Sequence, residues 1–143
     1  MVRVDGFQLL EHLFDQDIVI PSGVLKEYSR SFPELPSSVI VREVAEEQQN
    51  RINFNLGRGE REAIALAQEL GALLIIEDRK ARKACEQIGI EKIGTFAIVR
   101  AAFEECLLTR EQMVEMVGRL KNDLYYRDSL INWVLEARKP NAN

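Results

Sequence analysis

Apolar positions along the chain follow two spacings, one typical of amphipathic helices and one typical of buried strands. The helical order i, i+3, i+4, i+7 is clearest at Ala63, Leu66, Ala67 and Leu70. This order places side chains on one face of a helix, so we expect a helix with this face buried. Residues 73–76 follow directly as a continuous apolar run. Such a run is typical of a strand whose sheet is covered on both faces.

The same two patterns divide the rest of the chain. Helical spacing predicts helices over residues 7–15, 22–28, 60–70, 79–88, 96–106 and 110–121, with a last helix from Asp128 or its neighbours. Thr109 and Gln112 form a capping-box signature for the helix of residues 110–121, and the two prolines in residues 31–36 predict a loop. Short apolar runs predict strands over residues 18–20, 39–44, 73–76 and 91–93. Strands that alternate with helices favour a parallel sheet with helices on both faces. We therefore expect an α/β fold, a three-layer α/β/α single domain over residues 1–143.

Composition excludes several classes of protein. The 143 residues, 46% hydrophobic and 29% charged, have the make-up of a soluble globular protein. A net charge of −4 gives no general attraction for nucleic acid, so such binding needs a local basic patch. No apolar run approaches the roughly 20 residues of a membrane-spanning helix, and the start does not resemble a signal peptide. We expect no membrane association and a cytoplasmic location.

The histidine and cysteines do not suggest zinc binding or nucleophilic catalysis. His12 is the only histidine, which gives little support for a zinc site or a Ser-His-Asp arrangement. Cys85 and Cys106 lie far apart on predicted helix faces beside apolar residues. We therefore expect both to be buried thiols rather than a disulfide or a metal pair.

Two acids flank the central helix and strand. Glu60 opens the helix of residues 60–70, and Asp78 follows the strand of residues 73–76. Side chains at the carboxyl ends of parallel strands face the crevice in which ligands bind, so these acids suggest a divalent-metal site. Each has a simpler interpretation. Glu60 suits the positive end of its helix dipole, and Asp78 is a good N-cap for the helix that follows.

Further acids extend this candidate site. Glu27 lies on a partly buried side of its predicted helix, although alone it would be taken for a surface residue. Together with Glu60 and Asp78 it would hold one or two Mg²⁺ or Mn²⁺ ions. These ions prefer oxygen ligands and neutralise charge on a phosphodiester. Glu62, on the other flank of the helix face, and Glu77, on the opposite face of the strand, are weaker candidates.

Basic residues stand next to these acids. Arg58, Arg79 and Arg82 are candidates for contacts with a phosphate backbone, since an acidic protein needs local positive charge for that purpose. Each has the alternative interpretation of a residue on a solvated helix face.

Three stretches resemble a PIN domain, a fold of metal-dependent ribonucleases that include the toxins of many prokaryotic toxin–antitoxin pairs. They are DIVIPSGVLKEY, LGRGEREAIALAQELGALLIIEDRKAR and IGIEKIGTFAIVRAAFEECLLTREQ. The resemblance covers most of the chain, and the middle stretch is its most specific part. It implies that Glu27, Glu60 and Asp78 correspond to the second, third and fourth acids of a four-acid metal site. Glu62 also matches an acidic position, so the choice between Glu60 and Glu62 stays open.

The chain departs from the family pattern at its front. PIN domains begin with a central strand that ends in the first aspartate of the site. Residues 2–5 could mimic a shortened first strand that ends in Asp5, which makes Asp5 a less certain ligand. However, Asp5 lies only 16 residues before Pro21, too close for the usual first helix, so we expect it to belong to a linker. Either the recorded start is too late or the chain is naturally shortened. In both cases we expect the first strand to be missing or shortened, with exposed strand edges that favour pairing with another chain.

Two functions follow from the resemblance. The first is an endoribonuclease that uses Mg²⁺ or Mn²⁺ to hydrolyse single-stranded RNA, as the toxin of a toxin–antitoxin pair. The alternative is a catalytically impaired PIN-like module that serves protein interaction or oligomer assembly. The expected partners are RNA, an antitoxin-like protein, and further copies of the chain in a homodimer or higher oligomer.

Overall fold

A computed structural model describes residues 6–14, 17–29, 37, 39–123 and 128–137. Asp5 and the predicted loop at residues 31–36 lie outside these ranges. Within them the helices are α1 Gly6–Phe14, α2 Ser22–Ser29, α3 Glu46–Asn50, α4 Arg58–Leu70, α5 Arg79–Ile88, α6 Thr95–Glu104, α7 Arg110–Asp123 and α8 Asp128–Leu135. The strands are β1 Ile18–Pro21, β2 Val39–Arg42, β3 Leu74–Ile75 and β4 Lys92–Ile93. Every helix and strand predicted from the apolar spacing is present.

The chain divides into two compact units. One comprises residues 1–16 and 94–143, and the other comprises residues 17–93. A single domain over residues 1–143 stays a prediction. In the part of the chain that the structure describes, no helix is long and apolar enough to cross a membrane.

The strands lie in the unit of residues 17–93 and pair in parallel. In β1 and β2, Ile18 stands opposite Val39, and in β3 and β4, Leu74 stands opposite Lys92. The described strands form two two-stranded sheets, β1–β2 and β3–β4. Helix α4 packs against both β1 and β3. Parallel pairing with intervening helices confirms the α/β class, and α4 packs against a strand of each sheet.

The buried face of α4 differs from the predicted one. Leu66 and Ala67 are buried as expected, but Ala63 is half-buried and Leu70 is 39% exposed. Residues Gly59, Glu62, Ile64 and Ala65 are buried as well. The reason is that α4 packs against α2, α3 and α5 in addition to the strands, so contacts surround much of the helix.

The apolar run at residues 73–76 is only partly covered. Ile76 is buried at 7% exposure, whereas Leu73 and Ile75 are 42% and 41% exposed. The expectation that both faces of this strand are covered was wrong, because β3 is a short strand of a two-stranded sheet. The core of this unit lies instead between α4, α5 and the segments around them, and its buried members are Val44, Ile52, Leu56, Ile64, Ala65, Leu66, Ile76, Ala81, Ala84 and Cys85.

Helices α1, α6, α7 and α8 build the other unit. Helix α6 packs against each of the other three, and its Phe96, Val99 and Phe103 enter the core. The predicted capping box at the start of α7 is confirmed. Thr109 N donates to Gln112 Oε1 at 2.9 Å, and Gln112 N donates to Thr109 Oγ1 at 3.1 Å. These reciprocal bonds fix where α7 begins.

The two cysteines have opposite environments. Cys85 is buried, as predicted, and this burial raises the pKa of its thiol. Cys106 is exposed, so its predicted burial was wrong. Helix α6 ends at Glu104, and Cys106 has a left-handed backbone with φ 63°. Leu108, at 1% exposure, fills the core in its place.

Backbone hydrogen bonds explain this early end of α6. Leu107 N donates to Ala102 O at 2.8 Å, and Cys106 N donates to Phe103 O at 3.0 Å. This pair of bonds is a Schellman motif, which places its C′ residue, here Cys106, in the left-handed region. The turn directs the Cys106 side chain away from the helix face that the spacing predicted.

Replacing Cys106 with glycine tests this conformation. A residue with a Cβ is strained at positive φ, by roughly 1–2 kcal/mol, whereas glycine is not. We expect Cys106→Gly to have a free energy of unfolding about 1 kcal/mol higher than Cys106→Ala, measured by urea denaturation. Both variants remove the thiol, so the comparison isolates the backbone. Equal stability of the two variants would contradict the strain at this position.

Candidate functional site

Glu62 is the charged residue that the fold buries. It is 1% exposed, and no other charged side chain that the structure describes is buried to this degree. On α4 it lies three residues after Gly59 and four before Leu66, and both of these are buried. Residues at these separations share one helix face. A carboxylate taken out of water carries a large free-energy cost unless close partners compensate it.

The partners of Glu62 are few and distant. Gln49 Nε2 donates to Glu62 Oε1 at 3.3 Å, and Arg58 Nε lies 3.7 Å from the same oxygen. The Arg58 side chain is 69% exposed, which weakens its ion pair through solvent screening. The other oxygen, Oε2, is buried without a hydrogen-bond partner among the described residues. One oxygen of the buried carboxylate therefore has no hydrogen bond to compensate its loss of hydration.

Gly23 on α2 packs against Glu62 Oε2. Helix α2 packs against α4, and a Cβ built on Gly23 would overlap Glu62 Oε2. Only a residue without a side chain allows the carboxylate to approach α2 so closely. Gly23 therefore sets the position of the free oxygen from one side.

Glu60 caps the N-terminus of its own helix, α4. Its Oε2 accepts a hydrogen bond from Gly57 N at 3.1 Å, and Gly57 is the N-cap of α4. Helix α4 begins at Arg58, so Glu60 is the third helical residue rather than the first. A glutamate there that reaches back to the N-cap amide is one half of a capping box. Its carboxylate stabilises the start of α4.

Asp78 is the N-cap of α5, as the sequence predicted. Its Oδ2 accepts a hydrogen bond from Ala81 N at 2.9 Å, and the residue is exposed. It follows β3 directly, and Glu77 just before it is half-buried. Helix α5 packs against α4, the helix that carries Glu62.

The candidate phosphate-binding arginines differ in their contacts. Arg82 Nη1 donates to Ile76 O at 2.8 Å, so this side chain is held against the end of the strand region. Arg58 lies beside Glu62, as described above. Arg79 is exposed at the first position of α5. Arg61, another basic residue next to these acids, donates from Nη2 to Leu56 O at 3.0 Å.

The described side chains do not by themselves complete a metal site. Among them no group of three or more His, Cys, Asp or Glu is placed to hold a metal ion. The backbone of Glu27 lies in α2, but its side chain is outside the described part of the chain, as is Asp5. What the structure brings together is Glu62, Gln49, Arg58 and Gly23.

Sequence reasoning missed Gln49 and Gly23 and ranked Glu62 below Glu60. One signal was present for Gly23. Glycine costs a helix about 1 kcal/mol relative to alanine, so a glycine in a predicted helix indicates a close contact. Gln49 carried no such signal, because its role depends on a partner 13 residues away.

Substituting Gly23 tests the contact with Glu62. We expect Gly23→Ala to lower the free energy of unfolding by about 1–2 kcal/mol, because the added methyl group displaces a buried carboxylate. Gly118→Ala on α7 is the matched control: nothing lies within 4 Å of a Cβ there, so it should stabilise by about 0.5–1 kcal/mol. Thermal or urea unfolding measures both. Stabilisation of similar size in the two variants would show that Glu62 does not press on α2.

Comparison with known proteins gives the family. A family profile described as a PIN domain matches residues 1–139. No curated protein and no solved structure matches the chain. PIN domains are generally divalent-metal-dependent nucleases that act on RNA and often pair with antitoxins. The profile spans almost the whole chain and confirms the resemblance read from its three stretches, so this chain belongs to the PIN-domain family.

Proposed function

We propose that this protein is an endoribonuclease that hydrolyses phosphodiester bonds in single-stranded RNA with the help of Mg²⁺ or Mn²⁺. The observation that carries the proposal is the buried carboxylate of Glu62, whose Oε2 has no partner among the described residues. A fold does not bury a charge with so little compensation for stability alone, since an apolar residue there would cost less. In a PIN domain, a divalent ion is the partner that accounts for it.

The donor atoms fit such an ion. Mg²⁺ and Mn²⁺ are hard cations that prefer carboxylate oxygens. Glu62 and Asp78 would hold the ion together with Glu27. Position 27 lies one helical turn beyond Gly23 on α2, and Gly23 is the residue against which Glu62 packs.

The chain's own residues have distinct tasks in this proposal. A bound divalent ion polarises a phosphoryl oxygen and generates a nucleophile from water at neutral pH. Arg79 is exposed at the start of α5, and Arg58 is mostly exposed beside Glu62. In this proposal both would bind phosphates of the RNA backbone. Arg82 is held by the carbonyl of Ile76 and has fewer donors left for RNA.

Within α4 we assign the metal-ligating role to Glu62 and the capping role to Glu60. A carboxylate occupied with the Gly57 amide is partly neutralised by that hydrogen bond, whereas Glu62 Oε2 has no such bond. This assignment selects one of the two glutamates between which the sequence left the choice open. It also makes the two glutamates a matched pair for experiment.

Three single substitutions test the proposed site. We expect Glu62→Gln and Asp78→Asn to lower the rate of Mn²⁺-dependent cleavage of single-stranded RNA by about 100-fold or more, each removing a ligand charge. Glu60→Gln should cleave at nearly the wild-type rate, because glutamine also serves in a capping box. Asp78→Asn keeps a good N-cap, so its loss of activity would report the charge and not the fold.

A fluorescent single-stranded RNA oligonucleotide, assayed with Mn²⁺ and with EDTA, provides the readout. Cleavage lost in Glu60→Gln but kept in Glu62→Gln would return the ligand role to Glu60. Wild-type protein that cleaves no RNA with either Mn²⁺ or Mg²⁺ would reject the nuclease proposal.

A second candidate function is a PIN module for oligomer assembly, and the exposed apolar residues of β2 favour it. Ile40 and Val41 are 40% and 41% exposed on a strand that pairs, among the described strands, only with β1. An apolar strand edge of this kind favours pairing with another chain. The proposed partners are a second copy of this chain and, for a toxin, an antitoxin-like protein, which co-purification from the source cell would reveal.

A charge placed on β2 tests the pairing of copies. We expect the wild-type protein to sediment as a dimer in analytical ultracentrifugation and Val41→Lys to sediment as a monomer, since a lysine on an edge strand opposes pairing. Val114→Lys on α7 is the control, because Val114 is exposed to a similar degree, 50%, away from the strands. A dimer that survives Val41→Lys but not Val114→Lys would place the interface elsewhere.

A further inference from the structure

The side-chain amide of Gln49 joins Glu62 to the backbone of the core. Gln49 Nε2 donates to Val44 O at 3.1 Å and to Glu62 Oε1 at 3.3 Å. An NH₂ group has two hydrogens, so both donors of this amide are in use. Val44 is 7% exposed and belongs to the core of its unit. One end of the link is therefore a fixed carbonyl and the other is the buried carboxylate.

These contacts distinguish the two oxygens of Glu62. Oε1 accepts from Gln49 and faces Arg58, whereas Oε2 lies against Gly23 without a hydrogen bond among the described residues. A carboxylate turns easily about its last torsion when nothing holds it. With Oε1 held and Gly23 close on the other side, the group keeps one orientation. Oε2 is therefore the oxygen that stays without a hydrogen bond to the described residues.

Gln49 is better suited than Arg58 to orient the Glu62 carboxylate for a metal ion. Arg58 is 69% exposed and carries a positive charge that repels a divalent ion and competes with it for the carboxylate. Gln49 is half-buried and neutral, so it orients the carboxylate without cancelling its charge. Helix α3, which carries Gln49, packs directly against α4.

We propose that Gln49 is a positioning residue for divalent-metal binding: it holds Glu62 Oε1 so that Oε2 is presented to the ion. The inference rests on the proposed function, since it assigns the support of the same ligand. Groups that orient a metal ligand through a hydrogen bond typically contribute about 10- to 100-fold to metal affinity. Gln49 does not contact the ion.

The test uses two neighbouring glutamines of the full-length protein. Gln49→Met removes both donors while keeping an unbranched, neutral side chain of similar length. Gln48→Met makes the same change one residue earlier on α3, where no side-chain hydrogen bond to Glu62 exists. We expect the Mn²⁺ dissociation constant, measured by electron paramagnetic resonance of free Mn²⁺, to rise about 10- to 100-fold in Gln49→Met and to stay within about twofold of wild type in Gln48→Met.

The outcomes separate this inference from the proposed function. Wild-type protein that binds Mn²⁺ with an affinity lost in Glu62→Gln, but unchanged in Gln49→Met, overturns the role of Gln49 and leaves the proposed function standing. Wild-type protein that does not bind Mn²⁺ overturns both. Equal weakening in Gln48→Met and Gln49→Met also overturns the inference, because the effect would then belong to α3 as a whole.

A metal-free measurement covers the case in which Gln49→Met does not fold. The side-chain amide of Gln49 gives a pair of ¹H–¹⁵N signals in the wild-type spectrum. We expect these signals to shift in Glu62→Ala and not in Glu60→Ala, since of these two glutamates Glu62 is the one that accepts from the amide. Signals unchanged in Glu62→Ala would show that the hydrogen bond does not exist in solution and would overturn the inference.

Discussion

The burial of one carboxylate constrains much of the unit that contains the strands. Glu62 lies where α2, α3 and α4 pack together, and each of these helices has a residue that accommodates its carboxylate. Helix α2 has a glycine at the point of closest approach, α3 supplies an amide donor, and α4 adds an arginine one turn before the acid. An apolar side chain in place of Glu62 would need none of these features. These features compensate part of the cost of burying a charge, and they are the basis on which we propose a chemical role for Glu62.

Helix α4 links this acid to the rest of the candidate site. It packs against β1, β3 and α5, so it lies close to both two-stranded sheets and to the helix that Asp78 caps. Its first turn is fixed by Glu60 and Gly57, and its end by the left-handed Gly71. Capping at both ends fixes the length and start of the helix, which in turn sets which side Glu62 faces. Two neighbouring glutamates of similar sequence context thus have unrelated tasks.

Much of the fold could be predicted from the spacing of apolar residues and from capping residues. The order of helices and strands, the parallel pairing, the capping box of Thr109 and Gln112, and the N-cap role of Asp78 were all predicted, because each depends on residues close together in the chain. The exposure of Cys106 and of Leu70 was not. Cys106 is the left-handed residue of a Schellman motif that the local sequence does not predict, and Leu70 is the last residue of α4 and is 39% exposed.

The sequence by itself determined the family, the α/β class and the set of acids from which we propose a metal site. The tertiary structure decided which acid of α4 is buried and what holds it. The physical reason is that the environment of a side chain depends on the elements packed around its helix. A single amphipathic pattern cannot specify that environment when several neighbours pack on one helix. Gln49 and Gly23 lie 13 and 39 residues before Glu62, and only folding places them beside its carboxylate.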